Sequence, residues 1–129
     1  MKHVLALLAA VFLFGCAGGS YQSYADYRNK NRSNLAKLEV GMSKSRVLEI
    51  MGTETHYMMT NPYKVEFIPS KDGMVEVIYY YTDFIDYDRG EDEMDGMTPV
   101  ILKDSKVIGW GRKILDDTDY RQTIRVERR

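Results

Sequence analysis

Several sets of residues carry side chains that could do chemistry. Asp83, Asp86, Asp88, Glu91, Asp92, Glu93 and Asp95 place seven carboxylates and one base, Arg89, within thirteen residues. Clustered hard oxygen ligands suit Ca²⁺, but the EF-hand register fails here: Gly90 stands at the third ligand position after Asp86 and Asp88, and Glu93 comes too early to close the loop. Such a charge run reads instead as a solvated loop between strands, kept mobile by like-charge repulsion, with a basic partner as its alternative use. His56 would need a serine and an acid to act as a base, and no serine sits in a G-x-S-x-G turn. Gly109-Trp110-Gly111 is followed by no Lys-Ser/Thr, so it is read as strand packing and not a phosphate loop. Tyr79-Tyr80-Tyr81 and Trp110 are of the types enriched at binding hot spots. Alternation along a strand sends Tyr79 and Tyr81 into a core under the helices and leaves Tyr80 and Trp110 as the candidate interaction patch. No catalytic set, metal site or cofactor site assembles from these residues, so the chain is expected not to be an enzyme and to take no small-molecule substrate.

A further reactive group is the single cysteine, Cys16. Met1-Lys2-His3 is a short basic start, and eleven apolar residues follow without interruption to Phe14. A bilayer crossing needs ~20 residues, so the run is too short to span and fits the apolar region of a secretory signal peptide. It ends at Leu13-Phe14-Gly15-Cys16. A small residue before a lone cysteine at this place resembles the lipobox of bacterial lipoproteins. That resemblance implies cleavage before Cys16, lipid on its thiol and its new amino group, and a membrane anchor through the lipid. Several acyl chains hold firmly where one holds marginally, at ~0.8 kcal/mol per buried methylene. Ala17, a non-acidic residue after the cysteine, implies by the same resemblance the outer membrane, with the domain in the periplasm. Residues 1–15 are thus the signal peptide, 16–23 a lipidated tether rich in small residues, and 24–129 one domain.

Length and composition exclude several other classes. With 129 residues, 29% of them charged and a formal net charge of −1, the chain has no general basic surface for nucleic acid. An aromatic share of 12% argues against disorder. One cysteine and two histidines build neither a disulfide framework nor a zinc cage.

The elements that must position these residues follow from periodicity. Residues 24–39 read as a helix, with Tyr24, Tyr27, Leu35 and Leu38 on one stripe, Asn31 interrupting it, and Arg28, Lys30, Arg32 and Lys37 on a solvated face. Val40-Gly41-Met42-Ser43 breaks the chain; Ser43 then caps a second helix, Met42 staples onto Val47, and Gly52 ends it with a left-handed cap. From there the period becomes two. Strands are expected over 55–60, 63–68 and 74–82, with a turn at Asp72-Gly73, and a hairpin over 99–112 turns at Asp104-Ser105. The tail from 114 has a weak pattern, with 123–127 a possible edge strand.

The run Leu38-Glu39-Val40-Gly41-Met42-Ser43, then Val47 and Ile50-Met51-Gly52, resembles the SmpA/OmlA family of small outer-membrane lipoproteins. Thr98-Pro99-Val100-Ile101 with Gly109-Trp110-Gly111 is similar to the terminal hairpin of its uncharacterised relatives. The resemblance spans about residues 35–112. It implies an α+β fold, with two N-terminal helices on one face of a three- to five-stranded antiparallel sheet. It also implies a non-catalytic interaction module with an envelope protein partner, in outer-membrane protein assembly or envelope integrity. The alternative is an envelope binding or inhibitory protein that presents its sheet face to a soluble enzyme or peptide.

Overall fold

The computed structural model describes residues 23–56 and 59–119. In chain order the elements are α1 (Tyr24–Leu35), α2 (Lys44–Met51), β1 (Thr55–His56), β2 (Met59–Thr60), β3 (Lys64–Ser70), β4 (Gly73–Tyr81), β5 (Met97–Lys103), β6 (Lys106–Trp110) and α3 (Arg112–Thr118). The protein is α+β. Strands β3 to β6 form a four-stranded antiparallel sheet in sequence order, and β1 and β2 form a separate two-stranded ribbon. The signal peptide, Cys16, most of the tether and the expected strand over 123–127 lie outside the described residues.

Local chemistry sets the helix ends. The Ser23 hydroxyl accepts from the Asp26 amide at 3.2 Å, and the Asp26 carboxylate accepts from the Ser23 amide at 3.1 Å, a reciprocal capping box. The Ser23 hydroxyl also donates to the Asp26 carboxylate at 2.8 Å, and this bond first, then that from the Ser23 amide, holds the Asp26 carboxyl below its ordinary pKa. Helix α1 stops at Leu35, four residues before the expected end, because the chain tightens into a turn in which Lys37 and Leu38 donate to the Asn34 and Leu35 carbonyls. Ser43 caps α2 by accepting from the Arg46 amide, as its sequence context implied. Gly52 closes α2 with φ 82° and ψ 160°. That is not the expected left-handed cap but an extended positive-φ conformation, which glycine alone adopts readily.

The sheet is pinned at one edge and at its turns. Gly41 donates to the Val107 carbonyl (2.7 Å), Val107 donates to the Met42 carbonyl (2.9 Å), and Ser43 bridges Lys106, so the segment before α2 covers the outer edge of β6. The β5–β6 hairpin turns at Asp104 and Ser105 with φ 50° and 61°, the two positive angles that match the twist of paired strands. A register shift sits between Ile101 and Leu102.

Two apolar clusters flank β4, and alternation sorts its residues between them. Ile78 and Tyr80 join Leu35, Leu38, Val47, Met51, Val100, Leu102 and Val107, with Trp110 packed against the cluster. Val75, Val77, Tyr79 and Tyr81 join Ile68, Met97, Ile101 and Leu115. The expected assignment of the tyrosines is therefore reversed. Tyr80 is fully buried among residues of the first two helices, whereas Tyr79 and Tyr81 lie on the opposite side, with Leu115 of α3. Nothing within β4 decides which of its sides the first two helices cover; the chain after β6 forms a third helix, which the weak tail pattern did not reveal and which adds Leu115 to the other side. Val77, Ile78, Tyr79 and Tyr80 are all buried, so the central strand has no open face.

Between α1, α2 and the sheet sits a polar exception. Asn31, which seemed only to interrupt the apolar stripe, is fully buried. Its amide donates to the Asn61 side-chain oxygen (3.1 Å) and to the Tyr81 carbonyl (2.8 Å). The Asn61 amide donates in return to the Asn31 side-chain oxygen (2.7 Å) and to the Met51 carbonyl (2.8 Å). All four N–H donors of the two side chains are used. Glu76, also buried, is paired with Lys44 of α2 at 2.5 Å.

Replacing Asn31 by Ala leaves the Asn61 amide and the Tyr81 carbonyl short of partners, and should lower unfolding free energy by about 2–4 kcal/mol in urea titration. A loss below about 0.5 kcal/mol would show that the pair is not needed. Among the described residues the buried Tyr80 hydroxyl has no hydrogen-bond partner, and burial pushes its pKa above the ordinary value. The unfolded phenol then ionises first, so this contribution to stability is complete below about pH 10 and declines as pH rises above it. Tyr80→Phe should raise stability at pH 7 by about 1 kcal/mol and reduce the alkaline decline. The decline will not vanish, because Tyr27, raised mainly by burial, acts in the same sense.

Candidate functional site

The acidic segment joins β4 to β5 and most of its acids are exposed, as expected of a solvated loop, but several of its carboxylates hold its own backbone. It contains two short 3₁₀ turns, Tyr87–Arg89 and Glu93–Gly96, and the Asp92 and Asp95 carboxylates cap the second. Glu91 accepts from the Asp86 amide (2.7 Å), Asp92 from the Met94 amide (2.8 Å) and Asp95 from the Asp92 amide (2.7 Å). The Gly96 carbonyl accepts from both the Thr82 and Asp83 amides at 2.9 and 3.0 Å. Gly96 has no room for a side chain, since a Cβ there would stand 2.5 Å from Ile85 and 2.9 Å from the Asp83 carbonyl. Among the described residues, no three or more such ligands are grouped to hold a metal ion.

This loop forms one wall of a half-open groove of about 600 Å³. Helix α1 supplies Tyr24 and Arg28, the sheet supplies Tyr81 and Met97, the bend just before β3 supplies Tyr63, and the loop supplies Phe84, Ile85, Tyr87 and Glu93. The Arg28 guanidinium lies 5.5 Å from the centre of the Tyr81 ring and 5.9 Å from that of Phe84, and donates to the Tyr81 hydroxyl at 3.1 Å. A cation held against ring faces in this way is attracted by their quadrupoles. Across the groove the Tyr63 hydroxyl donates to the Glu93 carboxylate, and this bond is the main reason its pKa is raised. Phe84 and Tyr87 remain 71% and 65% exposed. The groove offers flat aromatic faces, the Arg28 donors and the Glu93 carboxylate. These groups suit adsorption of an extended segment more than bond-making.

The sequence-derived site residues fare unequally. Cys16 lies outside the described residues. Tyr80 is buried and Trp110 half-buried, both in or against the cluster that contains α2, so the expected exposed patch of Tyr80 and Trp110 does not form. Tyr80 is exposed nowhere because its side of β4 faces helical apolar residues rather than water. The backbone places His56 in the short β1 ribbon. Sequence reasoning missed the groove because its walls come from three distant segments with no shared spacing. The one available signal was two aromatics, Phe84 and Tyr87, inside an otherwise charged run.

No helix among the described residues is long and apolar enough to cross a membrane. Comparison with curated proteins and with solved structures finds no match to this chain. A family model does match, over residues 8–117, that of a protein of unknown function designated DUF3192. The match runs from within the N-terminal apolar segment through β6 into α3, and so takes in Cys16, both clusters and the groove. The chain belongs to the DUF3192 family.

Proposed function

We propose that this protein is a lipid-anchored component of the bacterial cell envelope, held by Cys16 at the outer membrane, and that it works as a non-catalytic module by binding an envelope protein. The observation that carries this reading is Leu13-Phe14-Gly15-Cys16 at the end of an eleven-residue apolar run, with no other cysteine in the chain. The helix placement implied by the SmpA/OmlA resemblance fits it. Leu35, Val47 and Met51, from the first two helices, share one cluster with Ile78 and Val100 of the sheet, and α3 contributes Leu115 to the other cluster. We read this as two N-terminal helices closing one face, and the domain as an uncharacterised relative of that family. A tether of residues 17–23 reaches at most ~23 Å when extended, so contacts would be made close to the membrane.

The alternative, a sheet face presented to a soluble enzyme or peptide, loses its motivating feature with the burial of Tyr80. An interaction role is better served by the groove beside α1, where rings are exposed.

The anchor is tested by growing cells with a clickable fatty acid and comparing the native chain with Cys16→Ser. Label is expected on the native chain and absent from the variant. Equal labelling of both, or of neither, would remove the anchor and the reading built on it. Mild crosslinking of intact cells should join the native chain to an envelope protein, with recovery of free monomer alone contradicting the interaction role.

A further inference from the structure

The groove beside α1 is lined mainly by aromatic side chains, with one acid, Glu93, and one base, Arg28, and the loop that walls it carries more acids than bases. Phe84 and Tyr87 stand exposed among Asp83, Asp88 and Glu93, and the thirteen residues 83–95 carry seven acids against one base. A complementary occupant would be an extended segment with arginines on one side and apolar side chains on the other. The chain contains such a segment. Residues 120–129 read Tyr-Arg-Gln-Thr-Ile-Arg-Val-Glu-Arg-Arg. With the period of two of an extended chain, Arg121, Arg125 and Arg129 would share one side with Thr123 and Glu127, and Tyr120, Ile124 and Val126 the other with Gln122 and Arg128.

We propose that residues 120–129 are the occupant of this groove within the same molecule, their arginines meeting the carboxylates of that loop and their apolar side chains the rings of Phe84 and Tyr87. Where α3 lies makes the reach sufficient. Arg112, its first residue, donates to the Met94 carbonyl, next to groove residue Glu93. Leu115 shares a cluster with Tyr81 and Met97, which also line the groove. Helix α3 advances only ~10 Å over seven residues, and the ten residues beyond Asp119 span up to ~33 Å. Charge supplies direction and aromatic contact supplies hold, since arginine stacks on rings as well as pairing with carboxylates. This inference does not depend on the lipid anchor.

The test is amide hydrogen exchange on the full chain in mild detergent at low salt, with reciprocal variants. In R121E/R125E, the amides of residues 83–95 are expected to exchange at least about threefold faster than in the native chain. In F84A/Y87A, which changes only exposed rings, the amides of residues 121–127 should be faster by a similar factor. Raising salt to about 0.5 M should reproduce the first effect, because exposed charges are then screened. Unchanged exchange in both variants would overturn the proposal. So would protection that grows with protein concentration, which would mean a second copy supplies the segment. Protection that appears only with added vesicles and survives R121E/R125E would likewise overturn it, by making the occupant a lipid surface.

Discussion

The paired amides of Asn31 and Asn61 are the contact on which the arrangement of this protein depends. A buried polar side chain is costly unless every donor finds an acceptor. Here the two asparagines satisfy each other and then reach the backbone at the end of α2, through Met51, and at the end of β4, through Tyr81. Apolar packing alone would let α1 slide or rotate over the sheet with little penalty. Four directional bonds fix one register, because any shift leaves several buried groups unpaired at once.

That register also shapes the groove. Arg28 lies one turn before Asn31 on α1, and Tyr81 carries both the carbonyl that Asn31 holds and the ring against which Arg28 lies. Holding Asn31 in place therefore sets the distance between the two walls. The far wall is ordered by other means. Asp92 and Asp95 cap its second short turn, Glu91 accepts from the Asp86 amide, and Gly96 allows the chain to approach Ile85 closely. The acids of this loop thus order its backbone, while Asp83 and Asp86 are paired with Arg32 and Arg89.

Much of the fold was legible in the sequence because its signals were local. Ser43, the alternation in 74–81 and the Asp104-Ser105 turn each act through near neighbours, and the structure has them where spacing implied. What was not legible depended on partners distant in the chain. Asn31 looked like a flaw in a stripe because Asn61 is thirty residues away. Tyr80 looked like an outward residue because nothing in its own strand says which side the helices will take. Helix α3 is seven residues long, below the length at which periodicity is informative, and its contribution to the fold is a single leucine in the core. Residues 55–60 read as one strand, whereas the described backbone forms two short ones paired to each other.

The most direct measurement is a double-mutant cycle on the asparagine pair, with Asn31→Ala, Asn61→Ala and the double variant unfolded in urea. If the amides form one satisfied unit, the second replacement costs much less than the first, and a coupling of at least about 1.5 kcal/mol is expected. Additive effects, with coupling within about 0.3 kcal/mol of zero, would contradict the central place given to this contact.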